Sequence, residues 1–134
     1  MAVEFEIKGL VADIEKYSQE VQRKCIEEIR VTGALIETDY KLNVPVDTGR
    51  LRSSIHTKHS DYKAHNYSDN KGQMFDGTLS IEPNDFQAVT GTNVEYATKI
   101  ELSGGKVKGK NALATAFEKN TRGLPSRLAK LISE

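Results

Sequence analysis

Three places in the sequence carry residue types whose spacing could do chemistry. Gly104-Gly105-Lys106-Val107-Lys108-Gly109-Lys110 satisfies the G-x-x-x-x-G-K half of a phosphate-binding loop, in which backbone N–H groups cradle phosphates and the lysine reaches them. The next residue is Asn111, where such a loop needs a Ser or Thr hydroxyl for magnesium. The preceding KIELS does not read as a buried parallel strand, and no apolar strand ending in Asp follows. A flexible basic loop is the reading this context supports. His56, His59 and His65 form a second candidate, for a metal. On a strand, side chains three apart fall on opposite faces, so His56 and His59 cannot chelate together, and surface histidines are expected. Asp47, Ser53, Ser54 and His56 suggest a hydrolase, but no G-x-S-x-G nucleophile elbow occurs. No catalytic residue, metal or cofactor is expected, and function is sought in binding.

The elements that would position these residues divide at Val44–Ile55, VPVDTGRLRSSI. Pro45 lacks an N–H and pushes Val44 out of helical dihedrals, so a helix arriving from upstream stops here. Asp47 can accept from the amides of Gly49 and Arg50, and Gly49 tolerates a tight turn. Leu51 and Ile55, four apart, would point inward while Arg50, Arg52 and Ser53 stay wet. The stretch reads as a capped corner between a helix and a sheet; a sharper reading makes Arg50 and Arg52 contacts for a partner.

Upstream, Ala2–Lys8 alternates as a half-buried strand ended by Gly9. From Leu10 the apolar spacing becomes helical, through Ile14, Tyr17, Val21, Cys25, Ile29, Ile36 and Tyr40. Ser18 could cap a fresh start, which leaves open a short first helix before a long second one. Gly33 lies on the apolar stripe and costs about 1 kcal/mol relative to Ala, which close approach of another element would offset. Glu20, Arg23, Lys24, Glu27 and Arg30 make the opposite face a solvated surface. A helix with one apolar stripe needs a sheet or a neighbouring subunit to cover it.

Downstream, Ile55–Lys63 reads as a polar strand, and residues 64–76 as a mobile loop too long for a simple hairpin turn. Gly77–Pro83 reads as a strand, Pro83-Asn84-Asp85 as a turn, and Phe86–Thr92 as the antiparallel partner. Tyr96, Ala97 and Ile100 share one face of a short helical turn. After the Gly/Lys loop at 103–110, Asn111–Thr121 forms a helix with Leu113, Ala114 and Phe117 inward. Gly123 ends it, and Pro125 opens a last helix with Leu128, Leu131 and Ile132 on its apolar side. The fold class is α+β in a single domain over 1–134: a small, mainly antiparallel sheet packed against one long helix, with shorter C-terminal helices.

Charge and cysteine content narrow the function classes. The 134 residues carry 19 basic and 19 acidic side chains, which does not suit a protein that coats nucleic acid or lies on an acidic membrane. The balance conceals segregation. From Ser103 onward, Lys/Arg at 106, 108, 110, 119, 122, 127 and 130 face acids only at 118 and 134, whereas 64–102 is predominantly acidic. Such polarity suits head-to-tail contact between like subunits. Cys25 is the single cysteine, so no internal disulfide forms and a reducing compartment is expected, with the thiol as a small core residue. No secretory signal and no membrane-length apolar run is read, and a soluble, intracellular chain is expected.

VPVDTGRLRSSI resembles the signature of the tail-completion, or tail-to-head joining, proteins of long-tailed phages (siphoviruses). In that family a long helix ends in V-P-V-D-T-G-x-L-x-x-S, strands follow, and a Y-A-x-x-[VI]-E segment comes later, here Tyr96-Ala97-Thr98-Lys99-Ile100-Glu101. The motif residues are Val44, Pro45, Asp47, Thr48, Gly49, Leu51, Ser54, Tyr96, Ala97 and Glu101. The resemblance implies a virion protein, assembled in the host cytoplasm, that completes the tail and joins it to the head. It further implies a ring of six subunits gripping the tail-tube protein on one side and the connector's stopper on the other, by binding without turnover. Lys106, Lys108 and Lys110 would face DNA passing through the channel without sequence being read. Downstream of Glu101 the family's usual G-T and P-F segments are replaced by Ser103-Gly104-Gly105 and Asn111-Ala112-Leu113. A stopper or adaptor ring, and a small nucleic-acid-binding module using 106–130, are the alternatives.

Overall fold

The computed structural model describes residues 2–5 (backbone only), 16–46, 49–61, 65–103 and 109–133. The expected α+β class holds. Strand β1 (Ala2–Phe5) is followed by the long helix α1 (Gln19–Asn43), a short helix α2 (Arg50–Ser54), strands β2 (His56–Lys58), β3 (Asn66–Ser68), β4 (Met74–Asp76) and β5 (Ala88–Gly91), and helices α3 (Ala97–Glu101), α4 (Ala112–Thr121) and α5 (Leu124–Ser133). The Ser18 start is the one observed: its hydroxyl accepts from the Val21 amide and opens α1, satisfying one orphan N–H. The helical reading upstream of residue 16 lies outside the described residues.

Helix α1 buries Cys25, Ile29, Thr32, Gly33, Ile36 and Tyr40, the stripe expected from the apolar spacing. Gly33 is where the sheet meets the helix. The hydroxyls of Thr57 and Thr90, cross-strand partners on β2 and β5, both donate to the Gly33 carbonyl, at 3.0 and 3.3 Å. The close approach at this glycine is made by two threonine side chains of the sheet.

The main sheet has the order β1-β5-β2, antiparallel throughout, with Ala2 opposite Gly91, Phe5 opposite Ala88, and Lys58 opposite Val89. Strand β5 is buried along its whole length, as a central strand covered on both faces must be. This corrects the expected pairing of 77–83 with 86–92. Residues 77–83 are not a strand; they run as irregular chain. Leu79 is buried, and its carbonyl accepts from the Lys58 ammonium at 3.0 Å, so a side chain takes the acceptor that a ladder would have used.

The segment expected as a mobile loop at 64–76 instead contains a second small sheet. Strands β3 and β4 pair antiparallel with Tyr67 opposite Phe75. The Asp69 carboxylate builds the turn, accepting from the amides of Lys71 and Gln73 at 2.9 and 3.0 Å. A hairpin this short is not independently stable, and it leans on the body through buried Tyr67.

The C-terminal helices pack along α1. Leu113, Ala116, Leu124 and Leu128 join the core with Ile36 and Tyr40, and Asn120 donates to the Asp39 carboxylate at 2.7 Å. Ala114, expected inward, faces solvent; Ala112 and Ala116 take the buried positions beside Leu113.

Candidate functional site

The two signature stretches, about fifty residues apart in the chain, meet in space. Val44 ends α1 in an extended conformation (φ −95°, ψ 152°) and is fully buried, which is the expected stop before Pro45. Asp47 and Thr48 lie outside the described residues, so the cap assigned to Asp47 is not placed. Gly49 has φ +78° and precedes α2, a short helix where only a corner was expected. A Cβ at Gly49 would run into the Asn70 side-chain oxygen at the hairpin tip. Leu51 and Ile55 are buried, as their spacing predicts. Ser54 is buried, donates to the Leu51 carbonyl at 2.6 Å and shares a short hydrogen bond with the Thr92 hydroxyl.

Both arginines of the corner have partners within the chain. The Arg50 guanidinium makes two 2.9 Å hydrogen bonds to the two carboxylate oxygens of Glu95 and lies over the Phe75 ring, 4.3 Å from its centroid. The paired hydrogen bonds hold the Glu95 carboxyl below its usual range and raise the guanidinium further. Arg52 donates from Nε to the Lys41 carbonyl at 3.1 Å, satisfying an acceptor left over in the last turn of α1. These pairings tie the corner to the segment after β5 and to the end of α1.

In the second stretch, Ala97 is buried and Tyr96 half-buried. Glu101 is buried and caps a helix remote from itself: its two carboxylate oxygens accept from the amides of Leu113 and Ala114, each at 3.0 Å. Burial, and next the Glu101 charge, raise the Tyr40 phenol well above its ordinary value. Gly109 (φ +103°) closes the junction, because a Cβ there would sit 2.8 Å from both Pro45 and Ile100. Pro45, Gly49, Arg50, Phe75, Tyr96 and Ile100 thus line a cleft of about 540 Å³, whose Phe75 wall the sequence did not indicate.

A second surface was also missed. The face of α1 opposite its buried stripe is charged only in its first half. From Val31 onward it is apolar: Val31, Leu35 and Leu42 are 48, 47 and 62% exposed. With Thr38 between them they recur at steps of three and four, which makes one continuous face. Val46, 48% exposed, follows just past the helix end. The charged opposite face was expected at Glu20, Arg23, Lys24, Glu27 and Arg30; Arg30 pairs with Asp61 at 3.1 Å, and beyond it the exposed face turns apolar. Repeating the periodicity test on the residues left over from the first stripe would have found it. Beside it runs a groove lined by Ile26, Arg30, Val31, Ala34 and His59.

Lys106 and Lys108 lie outside the described residues, and Lys110 is exposed beside a cleft shared with Lys119 and Asp39. The chain entering the Gly/Lys segment is helix α3 and a turn rather than a strand, which is not the setting of a phosphate loop. His56 corrects the surface-histidine reading: it is 4% exposed and stacks on His65. His59 lies apart, in the groove near Arg30. Burial lowers both His56 and His59 below the ordinary imidazole range, with Arg30 adding to the effect on His59. Cys25 is buried, and burial raises its thiol, as befits a core residue. No helix among the described residues is long and apolar enough to cross a membrane.

A family model described as “Bacteriophage HK97-gp10, putative tail-component” matches residues 8–102. The chain belongs to this family of phage tail components. The match takes in both signature stretches, the main sheet's β2 and β5, and the hairpin, and it ends one residue after Glu101. Helices α4 and α5 lie beyond it, tied back to the matched part by the Glu101 cap. No curated protein and no solved structure matches the chain significantly.

Proposed function

We propose that this phage tail component completes the tail at its head-proximal end, as one subunit of a closed ring. One side of the ring would grip the tail-tube protein, and the other the stopper of the head connector. Six copies match the ring that the resemblance implies. The protein acts by binding and not by turnover; among the described signature residues, Leu51, Ser54 and Ala97 are buried in the subunit and Glu101 caps a helix, and no cofactor enters the reading. The observation that carries the proposal is the apolar face Val31–Leu35–Leu42 on the solvent side of the longest helix. An isolated subunit leaves that face in water, whereas a subunit wedged among neighbours covers it. The face is about 17 Å long by roughly 10 Å wide, well short of the ~800 Å² per partner of a stable pairwise interface. The free protein is accordingly a monomer or weak oligomer, and the ring closes only on the tail. Basic side chains of the C-terminal part, Lys110 among them, would border the DNA channel.

The experiment is a lysate of phage lacking this protein. Separate accumulation of filled heads and finished tails, with purified protein binding tail tubes and restoring joining, is the expected result. Complete virions in its absence would overturn the proposal, and capture only by portal-proximal proteins would assign it to a stopper or adaptor ring.

A further inference from the structure

Strand β2 sends alternate side chains to the two faces of the main sheet. Thr57 faces α1, with its hydroxyl on the Gly33 carbonyl. His56 and Lys58, on either side of it, are buried on the opposite face, which the following chain covers. His65 stacks on His56, and the stretch 77–83 lies over Lys58. The Lys58 ammonium donates to the Leu79 carbonyl at 3.0 Å and to the Glu82 carboxylate at 2.6 Å.

Residues 77–83 keep the side-chain pattern of a strand without its ladder. Gly77, Leu79 and Pro83 are buried and Ile81 is half-buried, whereas Thr78, Ser80 and Glu82 are exposed; no residue of the stretch belongs to a strand. At one end the Gly77 amide donates to the His65 carbonyl at 2.9 Å, closing the base of the 66–76 hairpin. At the other the Asn84 amide donates to the Gln87 side chain at 2.9 Å. Between these ends Lys58 takes the Leu79 carbonyl, where a strand would have taken a neighbour's amide.

The two members of the ion pair stand in different surroundings. The Lys58 side chain is 8% exposed and that of Glu82 is 80% exposed. Closing the stretch over Lys58 takes an ammonium out of water, and this desolvation offsets much of what the pair contributes. Lifting it returns Lys58 to water, which Glu82 never left. Opening is therefore cheap for the intact pair, whereas closure over an ammonium deprived of its carboxylate is strongly disfavoured.

We propose that Lys58 is the pin of a strap: residues 77–83 close over the outer face of β2 through Lys58 and Glu82, and open as a unit, ahead of the rest of the fold, when that pair parts. The Gly77–His65 hydrogen bond opens with the strap, which loosens the base of the hairpin. The strap is a property of the folded subunit and does not depend on the ring.

Amide exchange of Gly77 and thermolysin cleavage between residues 78 and 82, both followed in the full chain at low urea, read the opening. Both should rise with urea at a slope less than about half that of global unfolding, which α1 amides report. Glu82→Gln leaves a buried ammonium facing neutral acceptors and should speed both by about tenfold or more, at an unchanged slope. Lys58→Met removes the pin without leaving a buried charge and should speed them by about threefold or more. If that variant does not fold, Glu82→Gln, altered at an exposed carboxylate, carries the test. A global slope for the strap, or wild-type rates in Glu82→Gln, would overturn the pin. Unchanged or slower opening in a folded Lys58→Met would do the same, since the apolar side chains would then hold the strap by themselves.

Discussion

The carboxylate of Glu101 caps the helix that begins at Ala112, through two 3.0 Å hydrogen bonds from the amides of Leu113 and Ala114. The local N-cap residue, Asn111, stands at φ +55° and contributes no side-chain hydrogen bond. A buried side chain eleven residues upstream of Ala112 therefore does what a capping residue ordinarily does. Glu101→Ala leaves two amides at the start of α4 without acceptors, and is expected to destabilise by about 2 kcal/mol. Glu101→Gln keeps one acceptor oxygen and should lose about half of that. Urea midpoints at constant slope are the measurement, and an unchanged midpoint in Glu101→Ala would remove the cap from this account.

Gly49 is held by conformation and by space together. Its φ of +78° disfavours any side chain, and the Asn70 amide group occupies the position of a Cβ. Gly49→Ala should cost about 1–2 kcal/mol for the backbone alone. Shortening the opposing side chain in Gly49→Ala/Asn70→Ala should recover only the steric part. Recovery to wild-type stability would mean that the left-handed backbone carries no cost here.

Long-period features were legible in the sequence and pairings across the chain were not. The buried stripe Cys25–Ile29–Ile36–Tyr40, the Ser18 start and the stop at Val44 each rest on spacing or on one residue's intrinsic chemistry. The partner of β5 cannot be read that way, because alternation identifies a strand and not its neighbour; β1 and β2 flank it, and the nearby 77–83 does not. The hairpin escaped notice because its strands have three residues each and its turn is built by an Asp69 side chain inside a polar run. Within the candidate site, Leu51 and Ile55 were legible as inward-facing. The engagement of Arg50 with Glu95 and Phe75 was not, since nothing local to Arg50 names a partner 45 positions away. The same holds for Glu101, whose role depends on where α4 docks.

Acid should weaken the fold in two separate steps. His56 and His59 are both lowered by burial, so the native state takes up their protons less readily than the unfolded chain. Their contribution is intact above about pH 6.5 and is lost as pH falls through their lower native values. Asp76, lowered by its hydrogen bonds from Thr78, and Glu95, lowered by Arg50, obey the same rule from the carboxylate range. Their contribution is present above about pH 4 and disappears below it. Thermal midpoints from pH 8 to 3 should fall first between about 6.5 and 5, then again below 4. His56→Gln/His59→Gln should abolish the first fall and keep the second; a first fall that survives in this variant would place its origin elsewhere.

The apolar face of α1 separates folding from assembly. Leu35 and Leu42 face solvent in the subunit, so Leu35→Glu and Leu42→Glu should change unfolding free energy by no more than about 0.5 kcal/mol. If that face is covered in the virion, the same substitutions place a charge in an apolar contact and should abolish joining of heads to tails in complementation. Ile36→Glu, one position away on the fully buried side, should instead prevent folding. The contrast between adjacent residues is the discriminating feature: a general loss of helix stability would affect Leu35 and Ile36 variants alike, whereas an assembly face predicts soluble, folded and inactive protein from Leu35→Glu. Full joining activity from the Leu35→Glu/Leu42→Glu double variant would show that the ring, if one forms, leaves this face uncovered.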